Sequence, residues 1–186
     1  MSEERFAWLT EETMTPEQKR VAQGIAAGPR GSWQRGPFKA LLRSPEAADR
    51  IQKVGEFVRF GSSIAPRLNE LAICICGRRW TAQYEWYAHR QLGLDAGLKA
   101  DILDAIAEGK RPANMAADET AVYDFAHQLV HTGKVDDAAY AAAKAQFGEQ
   151  GVIDLIAAVG YYTIVSFTLN VDRVPLPAGA VPLKPL

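Results

Sequence analysis

The sequence predicts an all-α protein of one domain. Apolar residues recur at helical spacing along most of the chain, no stretch alternates as a half-buried strand does, and breaks carrying Gly or Pro cut the pattern into pieces of helical length. At 186 residues, with 48% apolar and 23% charged side chains, the chain is the size and composition of a single packed core.

Thr15-Pro16-Glu17 opens the first helix with a cap, a proline at the first helical position and an early carboxylate, and Gly28-Pro29 closes it. Residues 28–37 then form a loop rich in Gly and Pro that also carries Arg30, Trp33 and Arg35. Ser44-Pro45-Glu46 starts a helix reaching Phe60, with Ile51, Val54, Phe57 and Val58 expected on its core side. Pro66 begins a helix buried on most sides, expected to break near Gly77. Thr81 is expected to cap the next, which runs from Ala82 to Leu92 and stops at Gly93. Asp95 or Ala96 to Glu108, Asp118 to His131, the alanine-rich Asp136 to Phe147 and the almost wholly apolar Gly151 to Asn170 complete the set. Residues 174–186 contain Pro175, Pro177, Pro182 and Pro185. They should form an extended arm, either disordered or laid across a neighbouring subunit. The chain thus divides into residues 1–36, a helix and loop; 37–173, the main helical domain; and 174–186, the arm.

A formal charge of −1 with scattered basic residues argues against a nucleic-acid partner. The acidic N-terminal stretch fits no signal or transit peptide, and no uninterrupted apolar run reaches the roughly 20 residues of a membrane span. A cytoplasmic protein without membrane partners is expected. Cys74 and Cys76 lie two apart, about 200° around a helix, which suits neither a disulfide nor one shared metal. Buried filler is their expected role. His127 and His131 are four apart near a helix end without a third ligand, so they are read as structural and no metal is expected.

The informative stretch runs from Glu70 to His89. Glu85 and His89 are four apart and share a helix face, where a carboxylate can bind an imidazole, fix its tautomer and raise its basicity. That is a general acid/base arrangement, although alone it also fits a solvent-facing pair. Trp80, Tyr84, Trp86 and Tyr87 surround it, and Tyr84 and Trp86 are candidate pocket residues.

The longer pattern, Glu70, eleven residues, Ala82, two residues, Glu85, three residues, His89, set between Pro-Arg-Leu-Asn-Glu-Leu-Ala and Tyr-Glu-Trp-Tyr-Ala-His, resembles the core motif of the carboxymuconolactone decarboxylase family within the AhpD-like superfamily. The resemblance covers residues 37–170 and is strongest from Pro66 to Gly109. It implies an AhpD-like helical bundle, homo-oligomers, usually trimers or hexamers, and Glu70 as a third site residue beside Glu85 and His89. The redox branch of that superfamily carries cysteines where this chain has Ala82 and Glu85, so the dithiol peroxidase reaction has no nucleophile at these positions.

What the resemblance implies instead is a cofactor-free lyase that decarboxylates a small, cyclic, carboxylated or lactone metabolite. His89 moves the proton on carbon, while Glu85 and Glu70 orient its ring and hold its charge. Arg30 and Arg35 are candidates for a carboxylate clamp with Trp33 as a wall, whereas Arg78 and Arg79 read as surface or subunit-contact residues. The alternatives are an antioxidant protein of the AhpD type lacking the usual cysteine pair, and a non-catalytic ligand-binding oligomer. They differ in whether Glu70, Glu85 and His89 converge on one hollow.

Overall fold

The computed structural model describes residues 4–185. They form eight helices and no strand: α1 (Pro16–Ala27), α2 (Phe38–Leu41), α3 (Pro45–Phe60), α4 (Pro66–Arg79), α5 (Gln83–Asp95), α6 (Ala100–Ala107), α7 (Ala117–Thr132) and α8 (Asp137–Asp172). The capping at α1 follows the sequence: Thr15 Oγ1 accepts from Gln18 N–H, and Gln18 answers by accepting from Thr15 N–H. α8 covers both predicted C-terminal helices, which join at Gly148, where a φ of 68° breaks the helical path.

α4 is the central element. Every residue from Leu68 to Arg78 is buried, and α5, α7 and α8 pack around it. The run Leu71-Ala-Ile-Cys-Ile-Cys76 offers small or branched apolar side chains all round, so the helix can accept neighbours on each side. Each fully buried Leu or Ile contributes roughly 1.5–3 kcal/mol. Asp154 ties α8 to the turn between α3 and α4, accepting from Ser63 N at 2.7 Å, Ser63 Oγ at 2.8 Å and Ser62 Oγ at 3.2 Å. α8 is also long and apolar enough in one window to cross a membrane by length and composition, against the expectation that no segment would be. The sequence count stopped at polar residues that the helix buries, and more than half of that window is packed inside the fold.

A second apolar cluster lies at the N-terminal end. Leu9, Met14, Val21, Ala22, Ile25, Phe38, Leu42 and Ala48 form it, apart from the main core. The buried Lys39 pins this unit to the body, its ammonium 3.0 Å from Asp172 and 2.6 Å from Glu4. Asp172 also accepts from Phe6 N–H at 2.9 Å. The proline-rich arm lies on its own chain: Leu183 is buried, and its backbone exchanges two hydrogen bonds with the Gln83 side chain, at 2.8 and 2.9 Å.

Five local expectations change. Val58 is buried and Ile51 packs partly against the core as expected, but Val54 and Phe57 are exposed, and α3 turns Ala48, Gln52 and Gly55 inward, with Gly55 directly against Tyr161 of α8. α4 does not break at Gly77 but continues to Arg79. α5 has Ala82, not Thr81, at its N-cap position and no side-chain cap, and Gly93 lies inside that helix rather than ending it. A Cβ there would sit 3.0 Å from Leu98 and 3.7 Å from Glu70, so this glycine serves close packing. α6 begins at Ala100, later than Asp95 or Ala96, because Gly97 takes a φ of 96° first.

Candidate active site

α4 and α5 are joined by a tight turn in which Thr81 N–H donates to Arg78 O and Ala82 N–H to Gly77 O, with Thr81 itself left-handed at φ 47°. This turn sets the two helices side by side, so that Glu70 from α4 meets Glu85 and His89 from α5. His89 Nδ1 lies 2.6 Å from Glu70 Oε2, and Nε2 lies 3.1 Å from Glu85 Oε1. The second approach is off the N–H direction, and Glu85 Oε1 has no hydrogen-bond partner among the described residues. All three side chains are buried. Burial pulls the His89 imidazole down, but the Glu85 charge and the Glu70 hydrogen bond and charge outweigh it, and the group is pushed up to about 9. At neutral pH the ring is therefore an imidazolium between two carboxylates. Tyr162 packs edge-on against it, ring centroids 5.0 Å apart.

Glu85 and His89 open onto a cavity of about 490 Å³, within the size range of small-molecule sites. Its α5 wall is Glu85, Ala88, His89 and Leu92, one helical stripe, with Tyr84 beside it. Tyr161, Tyr162 and Val165 of α8 face that stripe, and the end of α3 contributes Arg59 and Phe60. The loop between α1 and α2 roofs it with Arg30 and Arg35, beside Phe38 at the start of α2. Arg30 donates to the Tyr161 hydroxyl at 3.1 Å and lies 5.2 Å from the Phe38 ring centroid, while its buried Nε has no partner. None of Arg30, Arg35 and Arg59 is in an ion pair among the described residues, so three guanidinium groups face an acidic floor across a space a small anion can enter.

The structure brings together Glu70, Glu85 and His89 and places Tyr84, Arg30 and Arg35 on the same cavity. Two expected lining residues are elsewhere. Trp86 follows Glu85 by one position, which turns it about 100° around α5 into the main core. Trp33 packs half-buried against the N-terminal cluster and borders a separate shallow hollow with Leu9 and Thr10, because its loop folds back toward α1. Arg59, Tyr161 and Tyr162 were not anticipated. The adjacent phenols interrupting an apolar helix were the available signal for two of them.

Sulfur has no place in the site. Cys74 and Cys76 are free and wholly buried, and burial, followed by the nearby Glu charges, pushes both thiols upward and away from the reactive thiolate.

No family model matches the chain, and no curated protein matches it significantly in sequence. Among solved structures, it is similar to an Agrobacterium tumefaciens protein described as of unknown function and suggested to be the antioxidant defence protein AhpD. The TM-score is 0.67 at 14% identity, covering 77% of this chain and 99% of that one. A likeness spanning the whole of that protein, in a chain whose described residues hold eight helices and no strand, identifies the architecture: this protein has the AhpD-like helical fold.

Proposed function

We propose that the protein is a cofactor-free lyase that decarboxylates a small, cyclic, carboxylated or lactone metabolite by proton transfer from the Glu70–His89–Glu85 cluster. The observation that carries this reading is a buried imidazole held between two glutamates, one of whose oxygens lacks a hydrogen-bond partner, at a cavity ringed by arginines. When the carbon–carboxylate bond breaks, CO2 leaves and the electron pair moves into a conjugated carbonyl. The proton on His89 Nε2, which faces the cavity beside Glu85, then closes the carbon, and solvent returns it to the ring. Because His89 is held protonated, it supplies the acid, and Glu70 fixes the ring through Nδ1. Arg30, Arg35 and Arg59 offset negative charge developing on the carbonyl oxygen and hold a second carboxylate where the substrate carries one.

An antioxidant role of the kind suggested for the Agrobacterium protein would need an oxidisable group at the site. The two thiols here are wholly buried and neither lines the cavity, which favours proton chemistry. The resemblance also implies trimers or hexamers, and the exposed row Ile153, Ile156, Ile164, Phe167 and Val171 on α8 supplies an apolar face for a second copy.

The test is CO2 release from a panel of carboxylated lactones in D2O, with deuterium located in the product. His89→Gln and Glu85→Gln should each lower kcat about 100-fold or more, a typical acid/base contribution. Undiminished turnover by His89→Gln would exclude the mechanism.

A further inference from the structure

A second hollow, on the far side of α4 from the His89 cavity, is lined by Arg78, Arg79, Lys110, Tyr123, His127 and His131 together with Ile75, Ile106 and Gly109. We propose that it is a binding site for one small oxyanion with the size and charge of inorganic phosphate. The lining holds two guanidinium groups, an ammonium, two imidazoles and a phenol, and no carboxylate.

Arg78 was expected at the surface, yet it is only 4% exposed. Its Nε has no acceptor, and its one hydrogen bond among the described residues is a long contact of 3.5 Å from Nη1 to Thr81 Oγ1. Arg79 Nε is likewise buried without an acceptor. A desolvated guanidinium is costly unless an anion satisfies it. The C-terminal end of α4 favours positive charge through its dipole but cannot satisfy these donors. Its last carbonyls are already taken: Cys76 O by Trp80 N–H, Gly77 O by Ala82 N–H and Arg78 O by Thr81 N–H.

The acids nearby are also committed. Asp124 is held by both terminal nitrogens of Arg111, and Glu108 pairs with Lys110 at 2.7 Å on the exposed rim. His127 and His131 stack with centroids 4.0 Å apart, and His131 Nδ1 lies 2.8 Å from His127 O, which leaves its Nε2 for a ligand. Burial, and then the neighbouring His131, hold the His127 imidazole below its ordinary value, the shift a bound anion would reverse. The hollow measures about 50 Å³, more than the roughly 30 Å³ one water occupies and far below a drug-sized site. A single tetrahedral anion fits that space and a nucleotide does not.

The test is a titration of the full chain with inorganic phosphate, followed on the imidazole resonances of its three histidines, with sodium chloride at matched ionic strength as control. His127 and His131 should move saturably, whether or not phosphate also enters the arginine-rimmed cavity and moves His89. Arg78→Gln should weaken binding about tenfold or more, and Lys110→Ala, on the exposed rim and harmless to folding, about threefold. Equal movement in chloride, absence of saturation, saturation reported by His89 instead, or Lys110→Ala binding phosphate as tightly as the parent would each overturn the proposal. The outcome is independent of the lyase reading, because no residue is shared by the two sites.

Discussion

His89 couples stability to pH through a worked sign. An unfolded histidine titrates near 6.5, and here the group is pushed up to about 9, so the folded protein binds the proton more tightly. The stabilisation is complete below about pH 6.5 and is lost as pH rises through about 9, where a neutral ring is left between two carboxylates. Urea unfolding should show stability falling across that window, on the order of 1–3 kcal/mol in total, with the fall absent in His89→Gln. Turnover should instead hold across that window and fall only as pH passes about 9, where the acid itself is lost. Stability that stays flat between pH 6.5 and 9 would contradict the geometry of the cluster.

Thr81 is the other residue whose chemistry is out of the ordinary. A β-branched residue at φ 47° is strained, and the turn that closes α4 usually takes glycine there. Thr81→Gly should raise stability by about 0.5–1 kcal/mol, since relief of left-handed strain exceeds the added freedom of the unfolded chain. Thermal unfolding measures it, and a lower Tm would show that the Arg78–Thr81 contact outweighs the strain.

Among the elements, the crossing of α3 and α8 shapes the cavity. Gly55 of α3 sits directly against Tyr161 and Arg30, where an added Cβ would overlap the phenol and the guanidinium. The absence of a side chain lets α8 approach, and that approach sets Tyr161 to receive the Arg30 hydrogen bond. Gly55→Ala should therefore cost about 1–3 kcal/mol through overpacking. It should also raise KM for an anionic substrate about tenfold through displacement of Arg30, with a smaller change in kcat. If KM and kcat fall in the ordinary range of the parent, Arg30 does not position substrate.

At the scale of the whole molecule, two faces remain apolar and open. Ile153, Ile156, Ile164, Phe167 and Val171 on α8, with Val54, Phe57 and Phe60 on α3, are large apolar side chains left exposed, the kind of surface a second copy can cover. Sedimentation should give a mass that is a multiple of 20.3 kDa, and the double variant Ile153→Glu with Ile164→Glu should shift it toward a single chain. A monomeric parent protein would instead leave these faces unaccounted for. Phe60 also borders the cavity, so assembly over α3 would narrow its mouth.

The helices and the Glu85–His89 pair were legible because both are local. A 3.6-residue period places apolar residues on one side whatever the helix packs against, and a spacing of four puts a carboxylate beside an imidazole without reference to any other element. Pro16, Pro45 and Pro66 marked three helix starts by the same local logic. Contacts between distant segments carry no such period. The contact distances of Glu70 and His89, which the motif only brought into one set, the joining of Arg59 to the Arg30–Arg35 loop and the tyrosines of α8 depend on how α3, α4, α5 and α8 cross. So do the burial of Arg78, the exposure of Phe57 and the turning of Trp86 into the core. Each is decided by which side of a helix its neighbours leave open, and that is a property of the packed structure and not of any stretch of sequence.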